Sequence, residues 1–316
     1  MYKGKTIGVV VPAYNEERLL GRTLETMPSF VDYIVVVDDC SNDNTNAIAR
    51  QYAESQPGRI ILIRHEINQG VGGAIATGYK WCRDHQIDAT AVMAGDAQMD
   101  PADLSALLDP VITGTLDYAK GNRLITGEAW NKIPRLRYLG NAMLSLLTKI
   151  ASGYWHIADS QSGYTVANLK TLQTLDLDHI YKRYGMPNDL LVKLNIFNFR
   201  VGDVPVKPIY GIGEKSGIKP LRMIPKLAWQ MGKLFLYRMV QKYIIRDFHP
   251  LVFFYLTGSI MFLGGLIFGL YLFFYRLFAG AVEATSALMA VFLFITGMQS
   301  LFFAMWFDMD YNQKNR

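Results

Sequence analysis

Two long runs without a formal charge, Leu251–Tyr275 and Ala284–Phe307, constrain this chain more than any other feature. They hold 25 and 24 residues and are separated by only eight. At about 1.5 Å of rise per residue each reaches roughly 36 Å as a helix, longer than the ~30 Å hydrocarbon core of a bilayer. One such run also fits the buried helix of a soluble protein. Two in succession, joined by a short link, predict a pair of transmembrane helices that returns the C-terminus to its starting side.

Charge is placed as unevenly. Residues 1–213 carry 21 basic and 22 acidic side chains, whereas residues 214–247 carry eight basic side chains against Glu214 and Asp247. A basic segment just before a span favours the anionic cytoplasmic leaflet and marks that side as inside. Nucleic-acid binding is the rival explanation of such a stripe, but its place beside a span argues for the lipid bilayer, and no nucleic-acid partner is expected. Over Met223–Ile245, Trp229, Phe235, Tyr237 and Tyr243 interleave with cations, as in a helix lying in the membrane interface. Cys40 and Cys82 are the only cysteines and read as free thiols in a reducing compartment. The run Ile7–Val11 is too short for a signal-peptide core and stops at Pro12. The domain ahead of the spans is therefore expected at the cytoplasmic face of the plasma (inner) membrane.

In that domain, β-rich runs alternate with helical patterns. Thr6–Val11, Tyr33–Val37, Ile60–Arg64 and Ala89–Ala94 read as strands; Glu16–Met27, Asn44–Ser55 and Gly72–His85 read as helices. A fifth strand is expected around Asp117–Gly121. The alternation predicts an α/β fold with a mostly parallel sheet covered on both faces. Ligands of such sheets bind beyond the carboxyl ends of the strands. The pattern then changes to Ile133–Ala151, whose Leu136, Leu139, Met143, Leu146, Leu147 and Ile150 share one helical face. Core packing is the default for that face, and a helix against the bilayer is the alternative.

Three strand ends carry the polar chemistry. The first is Pro12-Ala13-Tyr14-Asn15-Glu16, where Asn15 suits a helix N-cap. The second, Asp38-Asp39-Cys40-Ser41-Asn42-Asp43, offers carboxylates to a ribose or base, or to the next helix; Asp39 suits the first role and Asp43 the second. The third is Gly95-Asp96-Ala97-Gln98-Met99-Asp100-Pro101. There Asp96 and Gln98 present oxygen to a hard divalent cation, and Asp100 before Pro101 suits an N-cap. Five histidines show no HExxH spacing, and Gly70-Val71-Gly72-Gly73 is neither a P-loop nor a dinucleotide fingerprint. Gly265 and Gly269 form a GxxxG pattern that fits packing within one subunit as well as a homo-oligomer through the transmembrane helices.

The motifs VPAYNE, VDDCSNDNT, NQGVGGA and GDAQMDP, in that order and followed by Asp159-Ser160-Gln161-Ser162-Gly163-Tyr164, resemble the family 2 glycosyltransferases with a GT-A fold. The branch they most resemble is the polyprenyl-phosphate glycosyltransferases, which include dolichol-phosphate mannosyltransferase. The resemblance covers roughly residues 6–217. It implies that Pro12, Tyr14, Glu16 and Asp39 hold the nucleotide, and that Asp96 and Gln98 are the later members of an Asp-x-Asp-x-Gln motif for Mg²⁺ or Mn²⁺. Ala94 stands where the first member is expected, so the ligand set departs from the family motif at that position. Asp159 matches an acidic residue near the transferred sugar, so Asp96 and Asp159 are the catalytic candidates. Arg123, Arg135 and Arg137 suit bidentate contact with phosphates, and Lys215 and Ser216 loosely match a late Ser/Lys loop.

The expected organisation is a GT-A domain over residues 1–213, a basic juxtamembrane segment over 214–247, two spans within 248–307, and a cytoplasmic tail over 308–316. The expected reaction moves one sugar from a nucleotide donor, with a UDP-sugar preferred, onto undecaprenyl or dolichyl phosphate, with inversion. Two other readings stand beside it. One is a membrane glycosyltransferase acting on a glycolipid or polysaccharide hydroxyl, although the chain has no Gln-x-x-Arg-Trp segment of a processive synthase. The other is an inactive nucleotide-sugar-binding module, to which only Ala94 points.

Overall fold

A computed structural model of the chain describes residues 1–125, 135–207, 209 and 220–315, in two compact units, Met1–Phe235 with the last two residues and Leu236–Lys314. In the first unit, β1 (Ile7–Ala13), β2 (Tyr33–Asp38), β3 (Ile60–Arg64), β4 (Ala89–Val92), β5 (Tyr118–Asn122), β6 (Thr165–Asn168) and β7 (Val201–Pro205) form one sheet. Their order is β3-β2-β1-β4-β6-β5-β7, and only β6 runs against the rest. β1 is buried along its whole length, as a parallel strand covered on both faces must be. Alternation splits its side chains between two cores. Val9 and Val11 pack with α1 (Leu20–Glu25), α2 (Thr45–Ser55) and α4 (Leu104–Ile112); Val10 packs with α3 (Val71–Asp84), α6 (Leu169–Thr174) and α7 (Met186–Ile196).

This is the α/β, mostly parallel sheet the sequence predicts. The short strands β6 and β7 are additions. β6 has four residues, Thr165–Asn168, and ends where the Asn168 side chain caps α6 by accepting from Thr171 N at 2.8 Å. The first helix is also shorter than its pattern. Residues 14–19 form a loop, because Asn15 adopts φ +56° and Glu16 N donates to Thr45 Oγ1 at 2.8 Å. Asn15 is thus not an N-cap; its side chain accepts from Asn42 N instead.

Helix α5 (Arg135–Ser152) corrects the default reading of its apolar face. Among the described residues its buried side chains are Ser145, Thr148, Ala151 and Ser152, whereas Met143 and Leu146 are exposed. The reason is polar pairing: Ser145 bonds Ser160 at 3.1 Å, and Thr148 donates to Asn188 at 3.1 Å. The described core therefore takes the small side of the helix and leaves Met143 and Leu146 outward.

In the second unit, α8 (Pro220–Val240, which begins in the first) continues into a π turn at Gln241–Arg246. Tyr237, Val240, Ile244, Ile245 and Phe248 are exposed along it. α9 (Leu251–Phe278) and α10 (Ala284–Asn312) follow, both long and apolar enough to cross a membrane. They pack antiparallel through glycines. A Cβ at Gly265 would lie 2.4 Å from Phe294 N and one at Gly297 2.3 Å from Phe262 N, whereas one at Gly269 would meet nothing within 4 Å. Gly265 therefore serves contact within the hairpin. α10 does not stop at Phe307, because its polar end is satisfied internally. Asp308 takes Arg238 in two bonds of 2.7 and 2.9 Å, Tyr243 donates to Asp308 at 2.6 Å, and Lys242 donates to Asn312 at 2.7 Å. Burial, then the neighbouring Arg238 charge, pushes Lys242 down to about 6.

Candidate active site

The register places one set of loops along one edge. β1 to β5 and β7 all finish there, and antiparallel β6 starts there. Pro12 to Glu16, Asp39, Asp96 to Gln98, Arg123 and Asp159 consequently share it. Three of the strand-end turns hold a non-glycine residue in the left-handed region: Asn15 (φ +56°), Cys40 (φ +63°) and Ala97 (φ +54°). Such backbone costs on the order of 1 kcal/mol each and persists only where surrounding bonds enforce it. Here they do. Asn15 N donates to Ser41 Oγ at 3.0 Å, Asp39 N to the Ala13 carbonyl at 2.9 Å, and Gln98 N to Asp96 Oδ1 at 3.1 Å.

Around β1 and β4 the edge is acidic. The Glu16 carboxyl is pushed up to about 7, first by burial and then by the Asp96 and Asp43 carboxylates it faces. Pro12 is buried, with its carbonyl accepting from Gly95 N at 3.1 Å, and Tyr14 is exposed. Among the described residues no three His, Cys, Asp or Glu side chains gather to hold a metal by themselves. What is present, the Asp96 carboxylate and the Gln98 amide two residues apart with Glu16 facing Asp96, fits a site that Mg²⁺ or Mn²⁺ would complete with phosphate oxygens. Asp100 caps the turn at Pro101 by accepting from Ala102 N at 2.9 Å.

Asp39, expected to hold the nucleotide, is also engaged within the protein. It is 2% exposed, and both carboxylate oxygens are occupied. One takes His65 Nδ1 and Gln69 N, each at 2.8 Å; the other takes Gly70 N at 2.7 Å. With Nδ1–H donating to Asp39, His65 Nε2 accepts from Thr77 at 2.9 Å. Asp39 thus braces the loop before α3. That loop explains the glycine-rich motif too. Gly72 N and Gly73 N donate to the Lys182 carbonyl, and a Cβ at Gly72 would lie 2.2 Å from the Tyr181 carbonyl oxygen. The start of α3 is closed by protein rather than open to phosphate.

Arg123 and Asp159 were expected as separate groups, a phosphate clamp and a catalytic acid, and the structure joins them. Arg123 Nε and Nη2 hold the two Asp159 oxygens at 2.7 and 3.1 Å. Burial alone raises the Asp159 carboxyl, but the Arg123 guanidinium, with Lys120 behind it, holds it below the usual carboxylate range. Lys120 and Asp203 were not foreseen. A lone lysine within the strand Tyr118–Asn122, and an aspartate within Val201–Pro205, were the available signals. This half of the edge adjoins the acidic half where the Tyr164 hydroxyl donates to the Asp100 carbonyl at 3.0 Å. Arg135 and Arg137 fall in the first turn of α5, but their side chains lie outside the described residues, as do Lys215 and Ser216.

A mostly parallel sheet flanked by helices, with acidic loops along its carboxyl edge, defines a GT-A-type domain. The chain belongs to glycosyltransferase family 2: residues 8–175 match the family described as Glycosyl transferase family 2. It is 31% identical over 218 residues to the UDP-N-acetylglucosamine–dolichyl-phosphate N-acetylglucosaminyltransferase of Methanococcus voltae, covering 65% of this chain and 86% of that one. It is 31% identical over 202 residues to the undecaprenyl-phosphate mannosyltransferase of Micrococcus luteus, covering 62% and 81%. Glucosyl-3-phosphoglycerate synthase from Mycobacterium tuberculosis shares the fold, with a TM-score of 0.55 at 19% identity over 74% of this chain and 80% of that one.

Proposed function

We propose that this chain transfers one sugar from a nucleotide donor to a polyprenyl phosphate at a membrane surface. The observation that carries the reading is the juxtaposition on one sheet edge of an acidic half, Glu16 with Asp96, and a cation-bearing half, Arg123 with Asp159. Both sequence relatives are named for polyprenyl-phosphate acceptors, and the first for a UDP-sugar. The two long apolar helices suit an acceptor that resides in lipid. The exposed Met143 and Leu146 of α5 suit the bilayer surface as well.

Asp96 and Gln98 would hold Mg²⁺ or Mn²⁺ together with the donor diphosphate, the former beside Glu16; the structural neighbour was crystallised with Mn²⁺ and UDP-glucose. When bound, such a cation neutralises charge on the diphosphate leaving group. Pro12, Tyr14 and Glu16 line the nucleotide side, and Asp39 keeps its floor in shape. The acceptor phosphate is already ionised at neutral pH and needs no strong base. The chain's task is to bring two anions together, and the partly exposed Arg123 guanidinium supports the incoming one. In-line attack inverts the anomeric centre. Residues 1–213 form the catalytic domain, 214–247 the juxtamembrane segment and 248–307 the spans, with the catalytic domain and the polar end of α10 from Asp308 onward on the cytoplasmic side.

Purified full-length protein with Mg²⁺ or Mn²⁺, a polyprenyl phosphate and a panel of nucleotide sugars should release nucleoside diphosphate and form a charged glycolipid. Asp96→Ala should lower kcat by about 10³-fold or more. Preference for a lipid with a terminal hydroxyl over the phosphate would overturn the acceptor, and full activity of Asp96→Ala would overturn the cation site.

A further inference from the structure

We infer that Lys120 and Asp203 are positioning residues that pin the Ala158–Ser162 segment at both ends and so fix the Asp159 carboxylate. The inference rests on the transferase reading and deepens it. Lys120 enters from β5, is 1% exposed, and donates through Nζ to the Ser162 carbonyl. Asp203 enters from β7 and accepts from Ala158 N at 2.7 Å and from Asn122 Nδ2 at 2.6 Å. Its other oxygen is buried and makes no hydrogen bond. Asp159 lies between these anchors and takes Arg123.

The electrostatics favour positioning over a merely structural role. Lys120, Arg123, Asp159 and Asp203 interact in one cluster, in which burial brings Lys120 down to about 8 and raises Asp203, while Arg123 and Lys120 hold the Asp159 carboxyl low. Desolvating charges costs several kcal/mol per ion, and apolar residues of similar volume stabilise a fold as well or better. Within β5 an apolar side chain would suffice for folding. Lys120 adds a buried ammonium fixed within β5, brought down to about 8 by burial and still protonated at neutral pH. Arg123 is 23% exposed, whereas Asp159 is 1% exposed. When Arg123 turns toward a substrate phosphate, Lys120 remains to keep Asp159 ionised and in place.

The test uses full-length protein in lipid nanodiscs with Lys120→Met, Asp203→Asn and the double variant. Lys120→Met should lower kcat by about tenfold or more, with the donor KM within about twofold of wild type. It should also speed amide hydrogen exchange across residues 158–163. The double variant should recover part of both losses, because it removes the anion that Lys120→Met leaves uncompensated. Wild-type kcat and exchange in Lys120→Met would overturn the inference. So would losses that merely add in the double variant, and if Lys120→Met fails to fold, Asp203→Asn and the double variant decide by the same readouts. A wild-type protein that transfers no sugar would overturn the functional reading instead, leaving the exchange measurement to judge the positioning.

Discussion

Glu16 carries charge that its surroundings oppose, and the consequence is measurable without substrate. Its carboxyl rises from 4.5 to about 7, so the folded protein holds a proton that the unfolded chain has released. The sign follows: this stabilisation is full below about 4.5 and is lost as pH rises through about 7. Lys242, pushed down to about 6, acts in the opposite direction over this range, so the test is differential: free of divalent cation, wild type should lose melting temperature relative to Glu16→Gln on going from pH 5.5 to pH 8. Tryptophan fluorescence in detergent follows both proteins; a gap between them that does not change with pH would sink the coupling to Asp96 and Asp43. Residue identity puts Glu16, Asp96 and Asp39 forward alike as candidate site groups. All three are acids at strand ends, and only the tertiary bonds from His65, Gln69 and Gly70 turn Asp39 into a brace.

Among the elements, the polar end of α10 depends on a partner 70 positions away in sequence. Arg238 and Asp308 are both 0% exposed and paired in two bonds. Removing one member of a buried pair strands the other charge and costs about 3–5 kcal/mol. Asp308→Asn should lose stability of that order in reversible detergent unfolding, whereas Arg238→Met with Asp308→Leu should lose less. Equal losses would mean that packing, not charge, holds this end. The same scale shows why some element boundaries misled. The apolar period at Met143 and Leu146 is real, yet it faces outward, because Ser145 and Thr148 find polar partners on Ser160 and Asn188. Periodicity marks an amphipathic helix but does not say which side the protein takes.

For the molecule as a whole, the placement of the catalytic domain is the open consequence of the basic segment before α9. Inverted membrane vesicles should use externally added nucleotide sugar at once, and sealed right-side-out vesicles only after permeabilisation. Equal activity in intact vesicles of both kinds would reverse the cytoplasmic assignment.

The apolar runs, the Val-rich strands and the order of the acidic motifs determined by themselves the two long apolar helices, the mostly parallel sheet and the glycosyltransferase reading. Local composition carries those, because hydrophobic length and strand–helix alternation are properties of contiguous sequence. Only the tertiary structure decided that Asp159 holds Arg123, that Lys120 and Asp203 stand behind them, and that β6 enters against the sheet to bring them together. Those relations join residues some 36 to 83 positions apart, as the Arg123–Asp159 and Lys120–Asp203 pairs show, and are set by register and burial that no short segment encodes.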